Sequence, residues 1–104
     1  MKLDSNNQYI IDNLPNNIEE LELGEHFNLE LNNLPTSINS IIFSKYSKYN
    51  KELNCLPNFV ELIQLPEKYN LLIANKPKEL KKIICSKNYI HLNDLKSNYE
   101  VETY

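Results

Sequence analysis

Few side chains in this sequence have the chemistry of a catalytic or metal-binding residue. The candidates are Cys55, Cys85, His26 and His91. A reactive thiolate needs a base or a positive charge beside it, and a metal needs several ligands close together. The two cysteines stand in neither CxxC nor CxxH spacing, and the two histidines lie far apart with no acidic cluster at metal spacing. One disulfide is the most that two cysteines allow. A loop that cradles phosphate needs several glycines, and Gly24 is the only one here. No Ser/His/Asp arrangement is readable. The expectation is a protein that is not an enzyme, with no catalytic residue, no metal site and no cofactor.

Charge narrows the classes further. The chain of 104 residues has a net charge of −3, and all 11 of its basic residues are lysine. Nucleic-acid binders usually carry a basic surplus and arginine for phosphate forks, so no nucleic-acid partner is expected. No apolar run is long enough for a transmembrane helix, so no membrane partner is expected either. The opening MKLDSNNQYIIDN lacks the apolar stretch of a signal peptide. An intracellular, cytoplasmic location follows as an expectation, and a Cys55–Cys85 disulfide is not expected in a reducing cytosol.

The elements that would position any site come from an internal repeat. Pro15, Pro35, Pro57 and Pro77 are spaced by 20, 22 and 20 residues. Three residues after each stand Ile18, Ile38, Val60 and Leu80. Six after stand Leu21, Ile41, Ile63 and Ile83, and eight after stand Leu23, Phe43, Leu65 and Cys85. None of these positions is polar in a chain that is 41% hydrophobic, so the register is not accidental. Phe27, Tyr49, Tyr69 and Tyr89 follow, the first three each trailed by Asn. Leu31, Leu53 and Ile73 close three units. Alternation at Leu21 and Leu23 is the period of a strand buried on one face, not of a helix. A unit this short cannot bury its own apolar face, so neighbours must stack. The reading is four repeats (14–33, 34–55, 56–75, 76–95), an N-terminal cap or partial repeat (1–13) and a C-terminal cap strand (96–104). Within the caps, QYIID (8–12) reads as a leading strand and NYEVETY (98–104) as a closing one.

The frame LxxLxLxxNxL, met by LKKIICSKNYI (80–90) and in its first half by IEELELGEHFN (18–28), resembles the leucine-rich repeat. The fuller pattern in LPNNIEELELGEHFNLEL and LPTSINSIIF…YNKEL resembles the FNIP repeat of social amoebae and giant DNA viruses, over about residues 9–95. The resemblance implies a β-rich solenoid of about four coils with irregular or 3₁₀ returns, used as a binding surface. Many such proteins carry an F-box ahead of the repeats. Only about 13 residues precede the first unit here, so ligase recruitment by this chain itself is not expected. Lys76 and Ile90 depart from the pattern, which suits a terminal unit.

If Leu21 and Leu23 point inward, their neighbours point outward. Candidate partner-binding residues are therefore Glu20, Glu22, Ser40, Ile42, Leu62, Gln64, Lys82 and Ile84, with Ile42, Leu62 and Ile84 expected to form an exposed apolar patch. Asn13, Asn33, Cys55 and Asn75, two residues before each proline, are expected to form a buried polar ladder. Charge is sorted along the axis. Unit one holds five Glu and no Lys, and unit four holds five Lys against Glu79 and Asp94. The functional expectation is a protein–protein interaction module, a viral or amoebal adaptor for a host protein. The alternative is a self-assembling structural repeat, with a second copy as partner through the end coils.

Overall fold

A computed structural model describes all 104 residues. The elements in chain order are β1 (Lys2–Leu3), α1 (Gln8–Asp12), β2 (Glu20–Leu23), β3 (Ser40–Phe43), β4 (Leu62–Gln64), β5 (Lys82–Cys85), α2 (Leu92–Lys96) and β6 (Glu100–Thr103). The six strands form one parallel sheet in the order β1-β2-β3-β4-β5-β6. Each strand is followed by a return that brings the chain back beside its own start, so the molecule is a β-solenoid of about five turns. The register follows the repeat. Leu21 lies opposite Ile41, Ile41 opposite Ile63, and Ile63 opposite Ile83. Both ends extend the sheet, since Leu3 lies opposite Leu23 and Val101 opposite Ile83.

Two turns frame each inner strand. Before it, the proline carbonyl accepts the N–H three residues on: Pro35 from Ile38 at 3.3 Å, Pro57 from Val60 at 3.3 Å and Pro77 from Leu80 at 3.2 Å. Proline presets φ for the turn. After the strand a second turn closes from Phe27 N–H to Gly24 O, from Ser47 to Ser44, from Tyr69 to Pro66 and from Tyr89 to Ser86. The third coil is two residues longer because Ser47, not an aromatic, closes this turn, and the aromatic Tyr49 follows two residues later. Ser47 is buried there, and its Oγ accepts the Tyr49 N–H at 3.1 Å.

The core is a set of columns along the solenoid axis. Leu21, Ile41, Ile63 and Ile83 are fully buried, as are Leu23, Phe43, Leu65 and Cys85 beside them. On the return side Ile11, Leu31, Leu53 and Ile73 form another column, each at most 1% exposed. An aromatic column lies between. The Phe27 and Tyr49 rings stack at 6.0 Å, and those of Tyr49 and Tyr69 at 6.3 Å. Each tyrosine hydroxyl donates to a return carbonyl of the preceding coil: Tyr49 to Leu29 at 2.9 Å, Tyr69 to Lys51 at 2.9 Å, and Tyr89 to Leu71. Irregular backbone leaves carbonyls without partners, and a buried one must be satisfied. Phe27 starts the column without a hydroxyl. The matching carbonyl in its preceding coil, Tyr9 O, is already taken by Asn13 Nδ2 at 2.8 Å.

Three expectations are corrected. QYIID is the helix α1, not a strand. Residues 8–12 fall in the return register, where Ile11 aligns with Leu31, and Asn7 caps the helix by accepting the Tyr9 N–H. The first strand is Lys2–Leu3, so the stack has about five turns rather than four. The Asn/Cys ladder is not buried: Asn13, Asn33, Cys55 and Asn75 are all exposed. These residues lie at the outer corner, where Asn33 donates to Asp12 Oδ1 at 3.3 Å and Asn75 to Asn54 O at 3.0 Å. The inter-coil bridging exists there without burial.

Candidate interaction face

The outward side of the sheet carries two rows of side chains. One joins Glu20, Ser40, Leu62, Lys82 and Glu100 across β2 to β6. The other joins Lys2, Glu22, Ile42, Gln64, Ile84 and Glu102 across all six strands. All eight candidate residues lie in these rows, so the register brings them onto one face. Glu20 and Glu22 are exposed, and the other six are half-buried. Strands about 4.8 Å apart let each side chain be shielded by those on both flanking strands.

That shielding corrects the expected apolar patch. Ile42 and Ile84 are separated by Gln64, and Leu62 stands in the other row between Ser40 and Lys82. None of the three is among the exposed large apolar residues. Those are Met1, Tyr9, Ile10, Tyr46, Phe59, Leu72, Ile90 and Tyr104, at turns, returns and ends. Reasoning from strand alternation could not find them, because they lie outside the four central strands.

Gln64 has a task within the fold. At the strand ends, the N–H of Gly24 donates to Leu3 O at 2.8 Å and that of Ser44 to Leu23 O at 3.0 Å. The next position in this column is Pro66, which has no N–H. The carbonyl left over, Phe43 O, accepts Gln64 Nε2 at 2.9 Å instead. One strand further on, Leu65 O accepts the hydroxyl of Tyr104. Tyr104 reaches back from the last strand to do so, its ring 5.3 Å from Lys45 Nζ and its own N–H bonded to Cys85 O at 3.1 Å. Pro66 and Ser86, in the same outward column, are buried.

The acidic end of the face has its own geometry. Lys2, Asp4, Glu22, Glu25, Ile42 and Gln64 border an open depression of about 510 Å³. Asp4 Oδ1 accepts the His26 N–H at 3.1 Å and so caps the turn after β2. In the third and fifth coils the serine that starts the turn does this itself: Ser44 Oγ accepts from Tyr46 at 3.3 Å and Ser86 Oγ from Asn88 at 3.0 Å. Gly24 stands where those serines stand. A Cβ there would come within 2.6 Å of Asp4 Cγ. Glycine is present because a neighbouring coil supplies the cap.

The chemistry-bearing residues are dispersed. His26 lies beside Glu25 at 3.3 Å on the surface, and His91 meets the Tyr89 ring edge-on at 5.4 Å. Cys55 is exposed and Cys85 buried, both free. Burial raises the Cys85 thiol above its ordinary range. No three His, Cys, Asp or Glu side chains stand together as metal ligands would, and no helix is long and apolar enough to cross a membrane.

Among known families, the FNIP Repeat matches residues 6–46. No curated protein and no solved structure matches the chain. The matched segment spans α1, β2, β3 and the turns between them. The coils that follow keep its proline register, its inward columns and its aromatic ladder. Residues 6–46 thus carry an FNIP repeat, within a chain that folds throughout as a parallel β-solenoid.

Proposed function

We propose that this chain is a non-enzymatic protein–protein interaction module whose binding surface is the outward face of the sheet. Its setting would be the cytoplasm, as a viral or amoebal adaptor that holds a host protein. One observation supports this reading most. The face is a register-locked array in which half-buried Ile42, Leu62 and Ile84 are interleaved with Ser40 and Gln64, flanked by Lys2, Glu20 and Glu22 on one side and by Lys82, Glu100 and Glu102 on the other. Such a surface gives a partner apolar contact at its centre and charge at its rim, the usual anatomy of a protein interface. Repeat solenoids commonly bind through such extended faces.

The test is capture from an amoebal lysate by the wild-type chain and by the Ile42→Asp, Ile84→Asp double variant, read by mass spectrometry. Circular dichroism must first show that the variant is folded. The expected result is a protein retained by the wild type and lost by the variant. Equal retention by both folded chains would move the binding surface off this face.

A further inference from the structure

The two edges of the sheet are unlike and complementary. We propose that β6 of one copy pairs with β1 of the next, so that copies stack head to tail and the solenoid continues through the junction. This goes beyond the sheet-face reading and uses different residues.

The backbone supplies the first argument. In β1, Met1 O accepts from Glu22 N–H at 2.8 Å and Leu3 O from Gly24 N–H at 2.8 Å. Peptide groups alternate sides along a strand, so the N–H groups of Lys2 and Asp4 point to the free edge. In β6, Glu100 N–H donates to Lys81 O at 3.0 Å and Tyr104 N–H to Cys85 O at 3.1 Å. The carbonyls of Val101 and Thr103 therefore point to the other free edge. A second copy continuing the register puts Lys2 N–H on Val101 O and Asp4 N–H on Thr103 O. That repeats the bonds of Gly24 to Leu3 and of Ser44 to Leu23 within one copy.

Side chains supply the second. Lys2 and Glu102 occupy the same outward row at opposite edges. Across the junction that row meets Glu102 against Lys2 of the next copy, followed by Glu22 of that copy. With Lys82, which already bonds Glu102 at 3.2 Å, the charges alternate in sign over four successive strands. A lysine on an edge strand ordinarily guards it against pairing. Here the opposite edge carries the matching carboxylate in register. Inward, Leu3 and Val101 are only half-buried, and Met1 is 50% exposed; the junction covers all three. Unlike edges that do not close on themselves give an open chain of copies.

The test is the mass of the untagged chain by light scattering and sedimentation over a concentration series at low ionic strength. The expected mass rises from the 12.3 kDa monomer past the dimer without a plateau, and falls with added salt. Lys2→Pro removes only the free-edge N–H and the lysine charge, and leaves the Met1 and Leu3 bonds to β2. It is expected to weaken association about tenfold or more, which corresponds to about 1.4 kcal/mol, with an unchanged thermal transition. Lys2→Glu, which keeps the N–H and reverses the charge, is expected to weaken association in the same direction. A monomer at every concentration, a plateau at the dimer, or association indifferent to both variants would each overturn the proposal.

Discussion

A single hydroxyl separates phenylalanine from tyrosine in the aromatic column, and the backbone decides which is used. Tyr49, Tyr69 and Tyr89 each satisfy a return carbonyl of the coil before them, while Phe27 faces a carbonyl that Asn13 already serves. Removing a hydroxyl from the column leaves a half-buried acceptor without a donor, which costs about 1–3 kcal/mol. Tyr69→Phe is therefore expected to lower stability by about 1 kcal/mol in urea denaturation. Asn13→Ala is expected to cost less, because the Tyr9 carbonyl is exposed and water can replace the amide. Equal losses from the two substitutions would mean that burial of the acceptor carbonyl does not set the cost.

At the scale of the strand, the break in the hydrogen-bond ladder after β3 is the informative feature. Pro66 withdraws a donor, and Gln64 returns one from the sheet face. The two positions should therefore be coupled. Gln64→Ala is expected to cost about 1–2 kcal/mol in the wild-type background, by orphaning Phe43 O. In a Pro66→Ala background, the restored N–H can serve that carbonyl, and Gln64→Ala is expected to cost a few tenths of a kcal/mol. The double-mutant cycle measures this directly. Additive effects would show that Pro66 and Gln64 act independently.

Over the whole molecule, the tyrosines whose hydroxyls join the coils tie stability to pH on the alkaline side. Burial disfavours the phenolate, lifting Tyr49 and Tyr69 well above the ordinary range and Tyr89 and Tyr104 to about 12. Neighbours in the column add to this: a phenolate on Tyr69 further disfavours one on Tyr49, and a phenolate on Tyr89 one on Tyr69. Because these pKa values are raised on folding, their contribution is fully present below the unfolded value near 10 and is lost as pH rises through about 12. Ionisation also removes the hydroxyl donors that join the coils. Unfolding followed by circular dichroism is expected to begin above about pH 10 and to be cooperative, with tyrosinate absorbance rising in the same transition. Ionisation of these four residues with the far-ultraviolet spectrum intact would refute the coupling.

The sequence by itself determined the solenoid and its register. Coils of nearly constant length must place equivalent residues one above another, so Pro15, Leu21, Leu23 and Phe27 and their successors locate strands, turns and inward columns without reference to space. The same arithmetic located the two outward rows that hold the eight candidate residues. Tertiary structure decided what periodicity does not encode. QYIID is apolar enough for a strand, but its phase in the coil places it in a return, where Asn7 and Ile11 make it a helix. Ile42 and Ile84 point outward, yet flanking strands half-bury them. Gln64 serves the carbonyl that Pro66 leaves without a donor, Tyr104 serves Leu65 O, and Gly24 yields space to Asp4 from the coil before it. Apart from the local Asn7 cap, these depend on coils meeting one another, through contacts between residues about 20 or more apart in sequence, which the apolar pattern of any single unit does not specify.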